Sequence, residues 1–233
     1  MNSADPGKRA AAEAAALLVE GGMVVGLGTG STVRHLIAAL GRRVRAEGLR
    51  IVGVPTSTET DALALTQGIT LAEPGAAPID LAIDGADEVE RGTLRLIKGL
   101  GGALLREKIV AQAARRFVVI ADAAKLVDTL GTHAPLPVEV VRFGHAATAR
   151  RLAELGGRPV LRRVSGAEAV FVSDGGNVIY DCHGFAPIRD PFTVQRELCA
   201  IAGVVESGLF CDLAERALIG AADGSVTVLE RPA

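Results

Sequence analysis

Short apolar runs alternate with helix-like patterns through the first half of the chain. Strand-length runs lie at 23–28, 50–55, 79–84, 95–99 and 117–122, and helical patterns at 31–40, 58–67 and 103–116. In the first of these helices, Val33, Leu36, Ile37 and Leu40 follow the i, i+3, i+4, i+7 spacing of a buried face. An Ala-rich helix is expected before residue 23. This alternation predicts an α/β fold with a doubly wound, mainly parallel sheet.

The pattern changes after Pro135 and Pro137. Strand-like runs at 136–143, 159–164, 169–174, 177–184 and 203–210 are mixed with helical patterns at 146–155 and 191–201. This order predicts a small α+β domain inserted into the domain that contains the parallel sheet. We expect the C-terminal segment after residue 209 to rejoin that sheet. The predicted division is therefore 1–131 with 209–233 as the main domain, and 132–208 as the small domain.

Composition narrows the possible partners and location. A net charge of −2 provides no basic field for nucleic acid or an anionic membrane, and no apolar run approaches membrane-spanning length. Glu13 and Glu20 lie in the first apolar stretch, where a signal peptide would lack acids. Three cysteines without a C-x-x-C pair do not predict a disulfide framework. We therefore expect a cytoplasmic protein that acts on a small molecule.

A glycine turn, GLGTGST at 26–32, links the first strand to its helix. Glycines allow backbone N–H groups to approach a ligand, and a helix N-terminus favours an anion such as phosphate. A dinucleotide site is disfavoured because Ser31 replaces the third glycine of G-x-G-x-x-G and the second strand ends without an acidic residue. The structural alternative is a tight turn capped by Ser31.

Three further segments carry polar groups at strand ends. Asp84 ends the strand at 79–84 and Asp87 follows it. Lys98 lies at the end of the strand at 95–99, before a glycine turn, and Lys125 follows the strand at 117–122. The alternatives are an N-cap with acids in the first helical turn for the Asp pair, and a surface lysine for Lys125. We expect these strand ends to share one edge of the parallel sheet, where ligands bind.

Glu107 lies near the start of the helix at 103–116, among apolar residues that could raise its pKa as a base requires. The alternative is a solvated helix charge. The four histidines, His35, His133, His145 and His183, are scattered without metal-ligand spacing. No G-x-S-x-G elbow is present, which disfavours a serine hydrolase of that type.

Taken together, these segments resemble the ribose-5-phosphate isomerase type A family. The matching stretches are GLGTGSTV (26–33), VPTS (54–57), DLAIDGADEVE (80–90), LIKGLGGALLREKIV (96–110), VIADAAKLVDTLG (119–131), PLPVEVV (135–141), LGGRP (155–159), SDGGNVIYDCHG (173–184) and GVVESGLF (203–210). The sequence departs from the family at Leu100, where the glycine turn often has glycine, and at Ala124, where Ser is frequent.

The resemblance implies a Rossmann-like main domain with a smaller α+β lid domain, no cofactor, no metal, and a homodimer or homotetramer. It implies that Glu107 is the proton acceptor, with Asp84 and Lys98 also catalytic. The implied substrate-binding residues are Thr29, Gly30, Ser31, Thr32, Asp84, Gly85, Ala86, Asp87, Lys98, Gly99, Leu100, Gly101 and Lys125.

The implied reaction interconverts D-ribose 5-phosphate and D-ribulose 5-phosphate through a cis-enediolate, in the non-oxidative pentose phosphate branch. Such a reaction needs one base to move a proton between C2 and C1, and donors to stabilise the enediolate oxygens. Two rivals stay open: a silent sugar-phosphate sensor, for which no basic DNA-reading segment is present, and an amino-sugar-phosphate isomerase or deaminase, against which the DGAD and LREK segments argue.

Overall fold

The structure is a computed structural model that describes residues 6–232. The strands are β1 (Val24–Leu27), β2 (Val52–Pro55), β3 (Thr70–Leu71), β4 (Leu81–Gly85), β5 (Glu88–Glu90), β6 (Leu96–Ile97), β7 (Phe117–Asp122), β8 (Leu126–Val127), β9 (Leu136–Val140), β10 (Arg158–Leu161), β11 (Val178–His183), β12 (Val204–Ser207), β13 (Leu209–Phe210), β14 (Arg216–Gly220) and β15 (Val226–Glu230). The α-helices are α1 (Pro6–Ala16), α2 (Ser31–Glu47), α3 (Thr58–Thr66), α4 (Leu104–Ala113), α5 (His145–Glu154) and α6 (Pro191–Cys199).

The largest sheet has the strand order β15-β14-β7-β4-β1-β2-β3, and all its strands are parallel except β15. The α/β prediction with a mainly parallel sheet is therefore confirmed. The tail rejoins this sheet as expected, because β14 pairs with β7 and β15 pairs with β14. Strand order changes direction at β1, which lies between β2 and β4, and this is where open α/β sheets bind ligands.

Apolar residues cover both faces of this sheet, as a buried parallel sheet requires. One core joins Ala11 and Ala15 of α1 and Leu36 of α2 to the sheet, and a second core joins Val110 of α4 to its other face. The helix α2 continues to Glu47, beyond the predicted end at residue 40, and ends at Gly48 in the left-handed conformation.

Two smaller sheets complete the fold. An antiparallel sheet has the order β10-β11-β9-β12 and shares a third apolar core with α5 and α6. A second small sheet has the order β13-β6-β5-β8. The division into 1–131 with 209–233 and 132–208 stays a prediction, although the antiparallel sheet lies within the predicted small domain.

Several predicted elements were wrong in detail. The run 169–174 forms only isolated bridges, Arg163 with Val170 and Val172 with Val178, rather than a strand. The run 203–210 is divided between two sheets at Gly208, where a Cβ atom would lie 2.3 Å from the Lys98 carbonyl oxygen. The short strands β3, β5 and β8 were missed, because two or three residues are too few to show a period.

Across residues 6–232, none of the helices combines the length and the apolarity that a membrane crossing demands.

Candidate active site

A cleft of about 120 Å³, partly open to solvent, lies at the carboxyl ends of the central strands. Its lining comes from α1, the turn after β1, the turn after β4, the segment after β6, α4 and the turn after β7. The lining residues are Lys8, Thr29, Gly30, Ser31, Thr32, Gly85, Ala86, Asp87, Lys98, Gly99, Gly101, Glu107 and Lys125. Most of the predicted site residues are therefore brought together.

The first glycine turn is fixed from below by Asp84. One carboxylate oxygen of Asp84 accepts hydrogen bonds from the Thr29 and Gly85 N–H groups, at 3.0 and 2.7 Å. Gly28 must be glycine here, because a Cβ atom would lie 2.0 Å from the same oxygen. Asp84 is only 3% exposed and lies beneath the cleft, outside its lining. Its position indicates that it orients the turn and its neighbours.

The start of α2 forms one wall of the cleft. Its N-cap is Gly30, with φ at 107°, and no side chain caps the helix. The alternative of a turn capped by Ser31 is therefore wrong. The Thr29 hydroxyl bonds to the hydroxyls of Thr56 and Ser57, at 2.8 and 2.9 Å, and so stabilises the turn. The uncapped first turn of α2 is suited to an anionic group.

Lys98 enters the cleft from an unexpected direction. We expected its strand to join the parallel sheet, but β6 pairs antiparallel with β5 and β13 in a separate small sheet. The strand β5 also shows that Asp87 precedes a strand rather than the predicted alternative, an acidic first turn of a helix. The small sheet places Lys98 beside the end of β4. The contact between Lys98 and Asp84 therefore depends on tertiary structure alone.

Lys98, Asp84 and Glu107 form a buried charged group. The Lys98 Nζ atom lies 2.9 Å from Asp84 Oδ2 and 3.3 Å from Glu107 Oε2, and it donates to the Gly85 carbonyl at 2.6 Å. Glu107 is 5% exposed, so it is not the solvated helix charge of the alternative interpretation. Its Oε2 atom is fully buried beside Lys98 and accepts no hydrogen bond of good geometry within residues 6–232, while the residue as a whole lines the cleft.

The pKa of Glu107 is raised to about 8, chiefly by burial and also by the Asp84 carboxylate, while Lys98 opposes the rise. Burial disfavours the Lys98 ammonium, but Asp84 and Glu107 together raise the pKa of Lys98 above its ordinary value. Burial likewise raises the pKa of Asp84, and Lys98 counteracts it. The site thus holds a fixed cation beside a carboxyl group whose pKa is near neutral, as a general base requires.

The charged neighbours of Glu107 in sequence do not point to it. Arg106 contacts Asp174, and Lys108 is buried with its Nζ atom 2.8 Å from both Glu206 Oε1 and the Ser207 carbonyl oxygen. The positive charge beside Glu107 therefore comes from Lys98, which the small sheet places next to it.

The second glycine turn, residues 99–102, borders Glu107. The Leu100 N–H donates to Asp87 Oδ2 at 2.9 Å, and the Leu100 side chain is 41% exposed outside the cleft. Leu100 is thus not placed to bind a substrate. Within residues 6–232, no acceptor bonds to the N–H groups of Gly99 and Gly101, which both line the cleft. These two amides are candidate donors to an oxyanion.

Two lysines occupy the region where β7 ends. Lys125 lies in a 3-10 turn that directly follows β7, and the Lys8 Nζ atom lies 3.9 Å from Asp122 Oδ2. Lys8 was missed by sequence reasoning. It reaches the cleft because α1 packs closely on β14, where a Cβ atom on Gly7 would lie 2.6 Å from the Gly220 carbonyl oxygen. No local pattern near residue 8 indicates this contact.

No group of three or more His, Cys, Asp or Glu side chains is arranged to hold a metal ion in the described part of the chain, residues 6–232.

Comparison with known proteins identifies the family. The family model described as Ribose 5-phosphate isomerase A (phosphoriboisomerase A) matches residues 52–224. The chain is also 56% identical over 218 residues to a Ribose-5-phosphate isomerase A from Gluconobacter oxydans, with 93% of this chain and 94% of that protein covered. The chain belongs to the ribose 5-phosphate isomerase A family.

Solved structures of ribose 5-phosphate isomerases have the same fold. The enzyme from Methanocaldococcus jannaschii has a TM-score of 0.91 at 42% identity, covering 96% of this chain and 98% of that one. A D-ribose-5-phosphate isomerase in complex with phospho-erythronic acid also has a TM-score of 0.91, at 39% identity, covering 96% and 97% of the two chains. The ribose 5-phosphate isomerase A resemblance seen in the sequence motifs is therefore confirmed over nearly the whole chain.

Proposed function

We propose that this protein interconverts D-ribose 5-phosphate and D-ribulose 5-phosphate, the reaction of its family, in the non-oxidative pentose phosphate branch. The observation that carries the proposal is Glu107, a carboxyl group 5% exposed, in a cleft with three lysines. Its pKa of about 8 suits a group that must both accept and return a proton near neutral pH.

In the proposed route, Glu107 removes the proton from C2 of the open-chain aldose. A cis-enediolate forms, and the same carboxyl group returns the proton to C1 to give the ketose. One base can serve both carbons because they are adjacent and on one face of the planar intermediate. Glu107 lines the cleft, and we assign this transfer to its carboxylate.

Negative charge then develops on the O1 and O2 oxygens of the intermediate. We assign its stabilisation to the Lys98 ammonium and to the N–H groups of Gly99 and Gly101. Such preorganised donors in a poorly solvated site commonly contribute several kcal/mol to a reaction of this type, about 3–4 kcal/mol for a single donor. Asp84 holds Lys98 and the first glycine turn in place.

Protons must also move between the substrate oxygens, including at opening of the furanose ring. Asp87 lines the cleft, and we assign to it the binding of a sugar hydroxyl and this proton transfer. From the sequence, Asp84 and Asp87 were both candidates for this role. Its position beneath the cleft favours Asp87 for direct contact.

The phosphate group of the substrate needs cations and N–H donors. We propose that Lys8, Lys125, Ser31 and Thr32 provide them, together with the uncapped first turn of α2. The proposal agrees with the ligand of the solved relative, phospho-erythronic acid, which joins a phosphate to a carboxylate. We expect this chain to bind the same compound, with its carboxylate in the place of the enediolate oxygens.

The route uses no metal or cofactor. Incubation of the purified protein with ribose 5-phosphate, followed by a colorimetric assay of ketose, tests the proposal. The isomerase produces ribulose 5-phosphate until the equilibrium mixture is reached. A sugar-phosphate sensor would bind the compound and produce no ketose, which would refute the assignment.

We further propose that the protein acts in the cytoplasm as a homodimer or homotetramer. Three free thiols, Cys182, Cys199 and Cys211, agree with a reducing compartment. Large apolar side chains such as Phe143, at 94% exposure, are available for contacts between subunits. Sedimentation at micromolar concentration tests the assembly, and a monomeric mass would contradict it.

A further inference from the structure

Arg162 connects the antiparallel sheet to the glycine turn of the cleft. It directly follows β10, and its side chain is 10% exposed. Its Nε and Nη2 atoms both donate to the carboxylate of Asp181 on β11, with Nε at 3.0 Å from Oδ2. This two-point contact fixes the plane of the guanidinium group, because both partners are flat.

The remaining nitrogen of Arg162 is directed at the backbone of the glycine turn. Its Nη1 atom donates to the carbonyl oxygens of Gly99 and Leu100, at 2.8 and 3.1 Å. The turn is also held on this side by Phe171, which packs where a Cβ atom on Gly102 would lie 2.3 Å away. One side chain from outside the main sheet therefore fixes two successive peptide groups.

The direction of these carbonyls determines where the N–H groups point. Each peptide unit contains the C=O of one residue and the N–H of the next residue. In a trans peptide these two groups point in opposite directions. Holding the Gly99 carbonyl on Arg162 directs the Leu100 N–H away from it, and that N–H does bond to the cleft residue Asp87. In the same way, the contact of Arg162 with the Leu100 carbonyl directs the Gly101 N–H away from Arg162 and towards the cleft.

We propose that Arg162, held by Asp181, is a positioning residue for the isomerisation: it orients the peptide between Leu100 and Gly101 so that the Gly101 N–H faces the enediolate oxygen. The inference rests on the proposed role of this turn as the oxyanion site. Glycine backbone rotates easily, so without the two carbonyl contacts the Leu100–Gly101 peptide is free to turn its N–H out of the cleft.

The test compares Arg162→Met, which removes the donors, with Arg162→Lys, whose single ammonium cannot serve Asp181 and both carbonyls. Arg163→Met is the matched control, because the neighbouring Arg163 contacts Glu168 on the exposed side. For each variant, kcat and KM are measured with ribose 5-phosphate, and the fold is checked by circular dichroism and urea unfolding. Wild-type turnover is measured first, because its absence would refute the proposed function rather than this inference.

A second measurement separates positioning from general structural support. Phospho-erythronic acid presents a carboxylate to the oxyanion donors, whereas erythritol 4-phosphate has the same chain and phosphate with a neutral hydroxymethyl group in its place. The dissociation constants of both compounds are measured for each variant by calorimetry. The acid places a charged acceptor at the Gly101 N–H, so its affinity depends on that donor more strongly than the affinity of the neutral alcohol does.

We expect Arg162→Met to lower kcat by about 10- to 100-fold while KM changes by less than about threefold, since loss of a full oxyanion donor costs about 10²- to 10³-fold. We expect its affinity for the acid to fall about tenfold, and its affinity for erythritol 4-phosphate to stay within about twofold. Arg162→Lys should show a smaller loss of the same kind. If Arg162→Met does not fold, Arg162→Lys decides the question. Unchanged kcat, or an equal loss of affinity for both compounds, would overturn the inference.

Discussion

Replacing Glu107 by Gln removes one ionisable group from the cleft and should change both turnover and stability. The amide has nearly the same shape as the carboxyl group but cannot accept the substrate proton. We expect kcat to fall by at least about 10²-fold, the usual scale for loss of a general base. The fold should be retained, because the amide fits the same space and Lys98 keeps its contacts with Asp84 and the Gly85 carbonyl oxygen.

The same substitution has a pH-dependent effect on stability. The pKa of Glu107 rises from 4.5 in the unfolded chain to about 8 in the folded protein. Below pH 4.5 both states are protonated, and above that value the unfolded state ionises while the folded state stays neutral. The stability of the wild type therefore decreases as pH rises from 4.5 to about 8. At about 1.4 kcal/mol for each pKa unit, the full penalty is about 5 kcal/mol.

Because Gln does not ionise, Glu107→Gln escapes this penalty. Its stability relative to the wild type should therefore increase by about 3–4 kcal/mol between about pH 5 and pH 8, and level off above the folded pKa. Urea unfolding at several pH values measures the difference directly. Glu197→Gln, at an exposed glutamate on α6, is the control that removes one negative charge outside the cleft.

A difference between Glu107→Gln and the wild type that stays constant from pH 5 to pH 8 would show that Glu107 titrates at its ordinary value. The reasoning that burial prepares it as a base would then be refuted. Near-normal turnover of Glu107→Gln would separately remove Glu107 from the proton transfer.

Three further results are expected. Lys125→Met should raise KM for ribose 5-phosphate by about tenfold with little change in kcat, because a phosphate contact to a charged group is worth about 1.5–3 kcal/mol; a lower kcat at constant KM would contradict this role. Gly28→Ala should lower kcat by about tenfold or more, because its Cβ atom would lie 2.0 Å from the Asp84 carboxylate and must displace it, whereas Gly21→Ala has open space and should behave as the wild type. Chelators such as EDTA should leave the rate unchanged, and strong inhibition would point instead to a metal-dependent hydride shift.

Much of the fold could be predicted from the sequence because its signals are local. The alternation of apolar runs and helical spacings indicated the parallel sheet, and the polar groups of the turns after β1, β4 and β7 were placed at its carboxyl edge. Short strands without a period could not be found in this way. The strand before Lys98 was assigned to the wrong sheet. Its short apolar pattern fits either sheet, and tertiary packing decides which strands pair with it.

The sequence by itself determined the residue types of the site and the family, since the glycine turns, Asp84, Lys98 and Glu107 are recognisable in order along the chain. Only the tertiary structure decided what these groups can do. The pKa of Glu107 depends on burial and on Asp84 and Lys98, which approach it through space, and electrostatic energy in a poorly solvated cleft depends on those distances. Lys8 and Arg162 reach the cleft region from distant elements, and the direction of a peptide N–H depends on which group holds its carbonyl.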